Sequence, residues 1–249
     1  MDDSIAIIMA AGKGTRMKSE RPKVLVETLG RPMIQFVLDA VFAAGISRVI
    51  VVVGYKADDV RAELATRENI TFVEQTEQKG TGHAVMVCAD ELQGHSGPVL
   101  ILTGDSPLVQ TSSLNKLLGA YREDRASCIM GTAHKQDPTG LGRIVRDGQG
   151  KFLGVVEEKD ATDQQRAITE VNMSTYIFNT PDLLETLPQL QNNNSQGEYY
   201  ITDCPAIMKA NGKSILAEAV LEPCESLSVN TLDDLQIVED EMKRQGYAT

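Results

Sequence analysis

The chain has 249 residues, of which 42% are hydrophobic and 24% are charged, a composition typical of an ordinary globular protein. Its 24 basic and 35 acidic residues give a formal net charge of −11, which disfavours a nucleic-acid-binding surface. No apolar run approaches the roughly 18 residues of a membrane helix, and residues 1–15 lack a basic stretch ahead of their apolar part, which argues against a secretory signal.

Strand and helix patterns alternate through the first half of the chain. The strand patterns are short, β-branched and apolar, as in a parallel sheet covered on both faces. They span Ser4–Ala10, Arg48–Val53, Ile70–Val73 and Pro98–Leu102. Apolar residues at helical spacing predict intervening helices over Met33–Ala44, Ala57–Ala65 and Gly82–Leu92. This alternation predicts βαβ units with right-handed crossovers, and therefore an α/β fold with a doubly wound, mainly parallel sheet.

The pattern changes after Tyr121. Short strand patterns now follow one another with turns such as Asp147-Gly148 between them, which predicts a mixed or antiparallel region built onto the first sheet. The strand patterns span Ser127–Thr132, Arg143–Arg146, Phe152–Glu157, Val171–Phe178 and Ile215–Val220, and helix patterns span Asp182–Leu190, Asp203–Ala210 and Leu232–Arg244. We expect a single domain over residues 1–249, with a first part over 1–122, a second over 123–230 and a C-terminal helix over 231–249.

The cysteines argue for a reducing environment. They are far apart and form no Cys-x-x-Cys pair, at Cys88, Cys128, Cys204 and Cys224. A zinc site or a disulfide framework is therefore disfavoured. We expect a cytoplasmic protein.

A cluster of basic residues follows the first predicted strand. Five of the eleven positions from 13 to 23 are basic, where the average of the chain gives about one. They are Lys13, Arg16, Lys18, Arg21 and Lys23. In an open parallel sheet, ligands bind beyond the carboxyl ends of the strands. Because Gly12 and Gly14 allow backbone N–H groups to approach an anion closely, the segment predicts a phosphate-binding loop.

Two common phosphate-binding loops do not fit this segment. A Walker A loop has a glycine five residues before its Gly-Lys pair, where this chain has Ile7. A dinucleotide-binding loop has a third glycine where this chain has Met17. It also needs an acidic residue at the end of the second strand, which here runs into Gly54-Tyr55. The loop therefore belongs to neither class.

The run Gly12-Lys13-Gly14-Thr15-Arg16-Met17, followed by Pro22-Lys23, resembles the motif of the sugar-1-phosphate nucleotidylyltransferases. Further matches follow in the same order, at Gln75, Gly80–Ala84, Gly104-Asp105, Pro138–Ile144, Val156–Ala161 and Gly197–Asp203. Together they resemble the uridyltransferase half of the bifunctional N-acetylglucosamine-1-phosphate uridyltransferase/glucosamine-1-phosphate acetyltransferase, over essentially the whole chain. The resemblance implies a Rossmann-like nucleotidyltransferase fold, with a nucleotide-binding part over 1–122 and a sugar-binding part over 123–230.

The resemblance also implies an activity: Mg²⁺-dependent transfer of a uridylyl group from UTP to N-acetyl-α-D-glucosamine 1-phosphate. The products are pyrophosphate and UDP-N-acetylglucosamine, a precursor of cell-envelope polymers. Both substrates are anions, so positioning and charge neutralisation carry the catalysis. The family pattern assigns catalysis to Arg16 and Lys23, and Mg²⁺ binding to Asp105 and Asn230. It assigns nucleotide binding to Met9, Ala10, Ala11, Gly12, Gly14, Gln75, Gly80 and Thr81, and sugar binding to Thr103, Gly104, Gly140, Glu157 and Asn172.

Two departures from the family pattern leave the sugar open. Thr103 stands where the acetylglucosamine enzymes commonly carry Tyr, and Met173-Ser174 follows Asn172 where the family usually has Thr-Gly. The alternative acceptor is therefore glucose 1-phosphate or another sugar 1-phosphate. From other classes, a nicotinamide dehydrogenase is weakened by the missing third glycine. A non-catalytic sugar-nucleotide sensor is weakened by the presence of the catalytic and metal-binding residue types.

The expected partners are small molecules, UTP and a sugar 1-phosphate, with no nucleic acid and no membrane; the oligomeric state stays open, a homo-oligomer included. The bifunctional relatives also carry a β-helical acetyltransferase domain, which needs several stacked repeats. The sequence ends at Thr249, directly after its last helix pattern, so we expect no acetyl transfer to glucosamine 1-phosphate.

Overall fold

Strands and helices alternate along the chain, as the sequence predicts. The computed structural model describes residues 3–14, 17, 20–227 and 229–247. Its strands are β1 (Ile5–Ala10), β2 (Glu27–Thr28), β3 (Arg31–Pro32), β4 (Arg48–Val53), β5 (Ile70–Glu74), β6 (Pro98–Thr103), β7 (Cys128–His134), β8 (Gly142–Arg146), β9 (Phe152–Val156), β10 (Glu170–Asn179) and β11 (Ile215–Glu218). Its α-helices are α1 (Met33–Ala43), α2 (Ala57–Glu63), α3 (Thr81–Met86), α4 (Thr111–Asp124), α5 (Asp163–Arg166), α6 (Thr180–Thr186), α7 (Cys204–Ala210) and α8 (Leu232–Arg244). Short 3-10 helices span Lys23–Leu25, Asp90–Leu92, Leu187–Gln189, Ile201–Asp203 and Pro223–Ser226.

The first half of the chain forms the parallel part of the sheet. β1 lies between β4 and β6 and is parallel to both, and β5 is parallel to β4 on its other side. Each of these strands begins and ends within one residue of the bounds predicted from the sequence. The doubly wound parallel sheet is therefore confirmed.

The second half extends the same sheet with mainly antiparallel strands. β10 lies between β6 and β7 and is antiparallel to both, while β11 is parallel to β7 at the outer edge. β8 pairs with β10 and with β9, in both cases antiparallel. The predicted mixed region is confirmed. Because Tyr176 pairs with Ile101, the first half of β10 lies beside the carboxyl end of β6.

Both faces of the sheet are covered by helices. Alternate residues of a strand point to opposite faces. Ala6 and Ile8 of β1 pack with α1, α2 and α4 in one apolar cluster. Ile5 and Ile7 pack with α3, α6 and α7 in another. This double coverage explains why β1 is uniformly apolar. Within the described ranges, no helix combines the length and the apolarity needed to cross a bilayer.

The C-terminal helix α8 is fixed at its start by a capping box. Its buried residues Val238 and Met242 pack with α1 in a third apolar cluster. The side-chain oxygen of Thr231 accepts a hydrogen bond from the N–H of Asp234 (3.2 Å), and Asp234 Oδ2 accepts one from the N–H of Thr231 (2.8 Å). The N–H of Asn230 also donates to Asp234 (2.9 Å). The cap therefore fixes the backbone of Asn230 as well.

Two predicted helices end four or more residues before their sequence patterns do. The pattern over Gly82–Leu92 forms an α-helix only to Met86, and the N–H groups of Cys88 and Ala89 then bond three residues back. The pattern over Asp182–Leu190 forms an α-helix only to Thr186. Pro188 has no N–H for a further α-helical turn, so the chain continues there as a 3-10 helix.

The sequence prediction omitted α4, α5 and the hairpin β2–β3. α4 nevertheless buries Leu114, Leu117 and Leu118 at helical spacing. The hairpin turns at Leu29-Gly30, whose φ values of 47° and 75° are of the positive sign that a type I′ turn requires. Strands of two residues are too short to show an alternating pattern, so this hairpin has no strand signal in the sequence.

Candidate active site

Two cavities open near the carboxyl ends of β1 and β6, where open parallel sheets bind their ligands. The first cavity has a volume of about 270 Å³ and the second about 480 Å³. Both are lined by Lys23, Thr103 and Asp105. The two cavities therefore meet at these three side chains.

The first cavity is lined by most of the residues predicted to bind the nucleotide. These are Met9, Ala10, Ala11, Gly12, Gln75, Gly80 and Thr81, together with Val24, Gln78, Ala84 and Glu198. Gly14 is not among them and packs against Lys23. A Cβ at Gly14 would stand 2.7 Å from the Cβ of Lys23, and its φ is 67°. Glycine is thus required at position 14 by the close approach of Lys23 and by the positive φ of the backbone.

The side-chain amide of Gln75 is buried and held through its nitrogen. Nε2 donates to the carbonyl oxygen of Gly80 (3.1 Å) and lies 3.0 Å from Nδ1 of His83. Both amide hydrogens are used when the imidazole of His83 carries its proton on Nε2. The side-chain atom left to a ligand is then Oε1, an acceptor. An acceptor suits the N3–H group of uracil or thymine, which cytosine lacks.

Gly80 lies where two sequence motifs meet. Its φ of 105° is a backbone conformation that favours glycine over residues with a side chain, and a Cβ there would stand 2.5 Å from the carbonyl oxygen of Tyr199. The same oxygen accepts a hydrogen bond from the N–H of Gly82 (2.7 Å), and the N–H of Tyr199 donates to the carbonyl oxygen of Lys79 (2.8 Å). These backbone contacts bring Glu198 into the wall of the first cavity.

A lysine ammonium joins the two residues predicted to bind Mg²⁺. Lys23 Nζ lies 2.5 Å from Oδ2 of Asp105 and 2.9 Å from Oδ1 of Asn230. The side chains of Lys23 and Asp105 are 15% and 20% exposed, so this ion pair is largely shielded from solvent. Its members come from a 3-10 helix, from the turn after β6 and from the segment before α8. A carboxylate oxygen and an amide oxygen therefore converge on one positive charge.

Arg16, the other predicted catalytic residue, lies outside the described residues, as does Lys18 of the basic cluster. The oxygens of Asp105 and Asn230 are hard ligands of the kind that Mg²⁺ prefers, and Mg²⁺ takes few protein ligands. Among the residues that the structure describes, no group of three or more His, Cys, Asp or Glu side chains could hold a metal ion.

The second cavity is lined by three of the predicted sugar-binding residues, Thr103, Gly140 and Asn172. The Oγ1 of Thr103 and the Oγ of Ser106 are hydrogen-bonded at 2.9 Å. Lys135 Nζ donates to the carbonyl oxygen of Ser226 (3.2 Å), which brings a further positive charge to this wall. The rest of the described lining is Lys23, Asp105, Thr139, Leu141, Met173, Ser174, Leu227, Asn230, Thr231, Asp234, Ile237 and Val238.

Glu157, a fourth predicted sugar-binding residue, lines a neighbouring cavity of about 250 Å³. Asp160 and Asp203 line the same cavity. Burial raises the pKa of the Glu157 carboxyl, and the two aspartates raise it further. A hydrogen bond that the hydroxyl of Thr202 donates to Glu157 Oε1 (3.0 Å) acts in the opposite direction. The net effect is a carboxyl pKa above its ordinary value.

Glu157 and Asn172 lie on two sides of Gly142. A Cβ at Gly142 would stand 3.6 Å from Oε1 of Glu157 and 3.5 Å from Cβ of Asn172. The structure thus brings these two predicted sugar-binding residues close together. Gly104, the fifth, is not among the described lining residues of these cavities; a Cβ there would stand 3.0 Å from Cγ1 of Val24.

A buried arginine anchors the loop that carries Gly140. Arg143 Nη2 donates to Oε2 of Glu158 (2.7 Å), and its other nitrogens contact the carbonyl oxygens of Leu141 and Arg166. Glu158 Oε2 also accepts a hydrogen bond from the N–H of Gly140 (3.2 Å). The guanidinium of Arg143 holds the pKa of the Glu158 carboxyl below its usual range. This network fixes the loop beside the second cavity.

Sequence reasoning missed several lining residues, among them Gln78, Lys135, Glu198 and Asp234. Gln78 and Glu198 lie within or next to motifs that the sequence contains. Asp234 lies four residues after Asn230, and its capping role could have been found from the pattern Thr-x-x-Asp. Lys135 directly follows β7, but its proximity to the site depends on how β10 inserts between β6 and β7.

The chain is similar to known nucleotidyltransferases in sequence. A family model described as a MobA-like NTP transferase domain matches residues 6–201. The bifunctional protein GlmU of Halalkalibacterium halodurans is 40% identical over 245 residues, which are 98% of this chain and 53% of that protein. GlmU of Geobacillus sp. is 44% identical over 225 residues, 90% of this chain and 49% of that protein. The chain therefore spans about half the length of the curated relatives that it matches.

The fold is also similar to that of a solved structure. A candidate glucose-1-phosphate thymidylyltransferase from Bacillus anthracis superposes with a TM-score of 0.81, over 99% of this chain and 98% of that chain. The sequence identity of this pair is 16%. At this identity, the likeness supports the nucleotidyltransferase-like α/β fold and nothing finer.

Proposed function

The chain belongs to the MobA-like NTP transferase domain family, and from this membership we propose that it transfers a uridylyl group from UTP to N-acetyl-α-D-glucosamine 1-phosphate, with release of pyrophosphate. The observation that carries the proposal is the meeting of two cavities at Lys23, Thr103 and Asp105. In this proposal, the first cavity holds the nucleotide and the second holds the sugar 1-phosphate. The reacting phosphates then meet at the three shared residues.

The choice of uridine is supported by Gln75. Its amide nitrogen is engaged with Gly80 and His83, which leaves Oε1 as an acceptor for the imide N3–H of the base. Uracil and thymine both present this group, so dTTP is the natural competitor in a test of the nucleotide.

The reaction is attack by a phosphate oxygen of the sugar on the α-phosphorus of UTP, with cleavage of the bond to pyrophosphate. The protein contributes little covalent chemistry and acts by alignment and by charge. Lys23 supplies a point charge next to the shared region of the cavities, where negative charge develops in the transition state. Backbone N–H groups of the glycine loop after β1 supply fixed dipoles. In this proposal, Arg16 binds the triphosphate, as its motif implies.

Asp105 and Asn230 would hold Mg²⁺. The residues fit this ion, because their oxygens already converge on a positive charge, the ammonium of Lys23. When bound, Mg²⁺ neutralises phosphate oxygens and orients the triphosphate.

The choice of an N-acetylated sugar is supported by polar groups beside the second cavity. Asn172 offers an amide, Glu157 offers an acceptor for hydroxyl groups, and Gly142 lies between them. A site that pairs with a polar group of its substrate rejects the analogue that lacks it far more strongly than a site that reads bulk alone.

Pyrophosphate release from a matrix of substrates tests the proposal. The matrix combines UTP, dTTP, CTP, ATP and GTP with N-acetylglucosamine 1-phosphate and glucose 1-phosphate. We expect the highest kcat/KM for UTP with the N-acetylated sugar, at more than about a hundredfold above glucose 1-phosphate. A preference for glucose 1-phosphate would move the acceptor to the alternative. If no pair of substrates released pyrophosphate, the proposed enzymatic activity would be refuted and a sugar-nucleotide sensor would be favoured.

A further inference from the structure

Strand β10 is irregular where it borders the second cavity. Its pairing with β7 shifts between Asn172 and Thr175, and Ser174 has a φ of 52°. Met173 and Ser174 fall outside the pairing register with β7, and both line the second cavity. A bulge of this kind changes the direction of neighbouring side chains. Here it lies between Asn172 and Tyr176, whose side chains meet.

The phenol of Tyr176 is fully buried, and its hydroxyl contacts Asn172. The ring lies 5.7 Å from the ring of Phe178, measured between centroids, within the core. The hydroxyl oxygen accepts a hydrogen bond of 2.6 Å from Nδ2 of Asn172. Burial raises the pKa of the Tyr176 hydroxyl, so the group keeps its proton at physiological pH. The contact therefore joins a neutral hydroxyl on a rigid ring to the amide of a predicted sugar-binding residue.

Both ends of the Asn172 amide are held. Oδ1 accepts a hydrogen bond from the N–H of Ser174 (3.3 Å), while Nδ2 donates to Tyr176. The N–H of Ser174 can only donate, so it fixes Oδ1 as the end of the amide that faces it, and the Tyr176 hydroxyl then holds Nδ2 on the other side. One hydrogen of Nδ2 and one lone pair of Oδ1 are left for a ligand. Their positions are fixed only as long as the amide keeps this orientation.

We infer that Tyr176 is a positioning residue for the acceptor sugar: its buried hydroxyl holds the amide of Asn172 in the place where it meets the sugar. The inference rests on the proposed function, because it assigns the second cavity to the sugar 1-phosphate. Tyr176 is not among the described residues that line either cavity. It therefore acts on the substrate through Asn172 and does not touch it.

The test is Tyr176→Phe, which removes the hydroxyl and keeps the buried ring. Loss of one neutral hydrogen bond that orients a binding group predicts a rise in the KM of the sugar 1-phosphate of about five- to tenfold. The KM of UTP should change by less than about twofold, because Tyr176 does not line the first cavity. Steady-state kinetics with each substrate varied in turn measures both values.

Strand β10 offers a matched control. Tyr121 is also buried, and its hydroxyl accepts a hydrogen bond from Nδ2 of Asn179, at 3.1 Å. Asn179 is the last residue of β10 and is not a described lining residue of either cavity. Tyr121→Phe thus removes the same kind of bond away from the site. It should lower thermal stability to a similar degree as Tyr176→Phe and leave both KM values unchanged.

A double-mutant cycle with Asn172→Ala separates positioning from general loosening. If Tyr176 acts through Asn172, Tyr176→Phe adds nothing to the sugar KM once the amide is gone. Additive effects in the cycle, an unchanged sugar KM in Tyr176→Phe, or equal rises for sugar and UTP would each overturn the inference. The kcat/KM values of the wild type for different substrates, measured in the same assay, test the proposed function separately. The cycle is run with whichever sugar 1-phosphate and nucleotide the wild type turns over best, and turnover with none overturns both.

Discussion

Replacement of Lys23 by methionine should increase the affinity of the nucleotide-free protein for a divalent cation. The ammonium lies 2.5 Å from Oδ2 of Asp105 and 2.9 Å from Oδ1 of Asn230, so it sits where a metal ion bound by these oxygens would carry its charge. A metal ion must therefore compete with Lys23. Methionine keeps an unbranched side chain and removes the competing charge.

The size of the effect follows from the contacts that Lys23 gives up. A hydrogen bond to a charged group contributes about 1.5–3 kcal/mol. The Lys23–Asp105 pair is only 15% and 20% exposed, so solvent screening reduces this value little. The second contact, to Asn230, is offset by the hydration that the ammonium gains when it moves aside. A net cost of one such bond corresponds to about ten- to a hundredfold in metal affinity.

Binding of Mn²⁺, followed by electron paramagnetic resonance without nucleotide, measures this change directly and does not depend on turnover. Lys13→Met is the matched control, since Lys13 belongs to the same basic cluster and its ammonium lies 5.1 Å from the ring centroid of Tyr55, not at the carboxylate. Equal affinity in wild type and Lys23→Met would refute the competition. An equal gain in Lys13→Met would assign it to long-range charge. Adding Asp105→Asn to Lys23→Met should abolish the gain.

Three further predictions concern the site. Asp105→Asn should unfold thermally like the wild type yet lose most turnover at ordinary Mg²⁺, and an unchanged Mg²⁺ dependence of the remaining rate would contradict the metal assignment. Burial raises the pKa of the Glu157 carboxyl, so this carboxyl holds its proton more tightly in the folded protein than in the unfolded chain. The stability that results is present below the ordinary carboxyl pKa and is lost as pH rises through the raised value. Glu157→Gln should therefore gain free energy of unfolding relative to the wild type between acidic and neutral pH in urea titrations, while its sugar KM rises; a difference that is constant with pH would contradict the burial argument. Gly80→Ala places a Cβ 2.5 Å from the carbonyl oxygen of Tyr199 and should cost about 1–3 kcal/mol and raise the KM of UTP more than that of the sugar, whereas Gly148→Ala, with nothing within 4 Å, should change neither.

The parallel core was predictable because burial on both faces leaves a direct trace in the sequence. β1 and β4 are runs of apolar residues, and their bounds follow from the ends of those runs. The same reasoning fails for the hairpin β2–β3, whose turn depends on the positive φ values at Leu29-Gly30. By contrast, the helical spacing of the buried leucines in α4 is present in the sequence, so this helix was predictable.

The position of the first cavity was predictable from the rule that ligands bind beyond the carboxyl ends of parallel strands. The residues after β1 and β6 come together for this reason, and Lys23 and Asp105 are found at their junction. The surroundings of the second cavity depend on strand order and on local irregularity, which no short motif encodes. Glu157 and Asn172 approach each other only because β8 places Gly142 between them.

Tyr176 shows the same limit in a single residue. In the sequence it is one more aromatic residue in a strand, and its burial could be expected from its neighbours. The use of its hydroxyl depends on the bulge at Met173 and Ser174, where the family pattern has Thr-Gly. An amide that is free to rotate can meet a hydroxyl or an acetamido group with either end, whereas an amide held by both the Ser174 N–H and the Tyr176 hydroxyl presents one donor and one acceptor in fixed places. Under the proposed function, we therefore expect selection for an acetamido group to depend on the strand that orients Asn172 more than on the bulk of the residue at position 103.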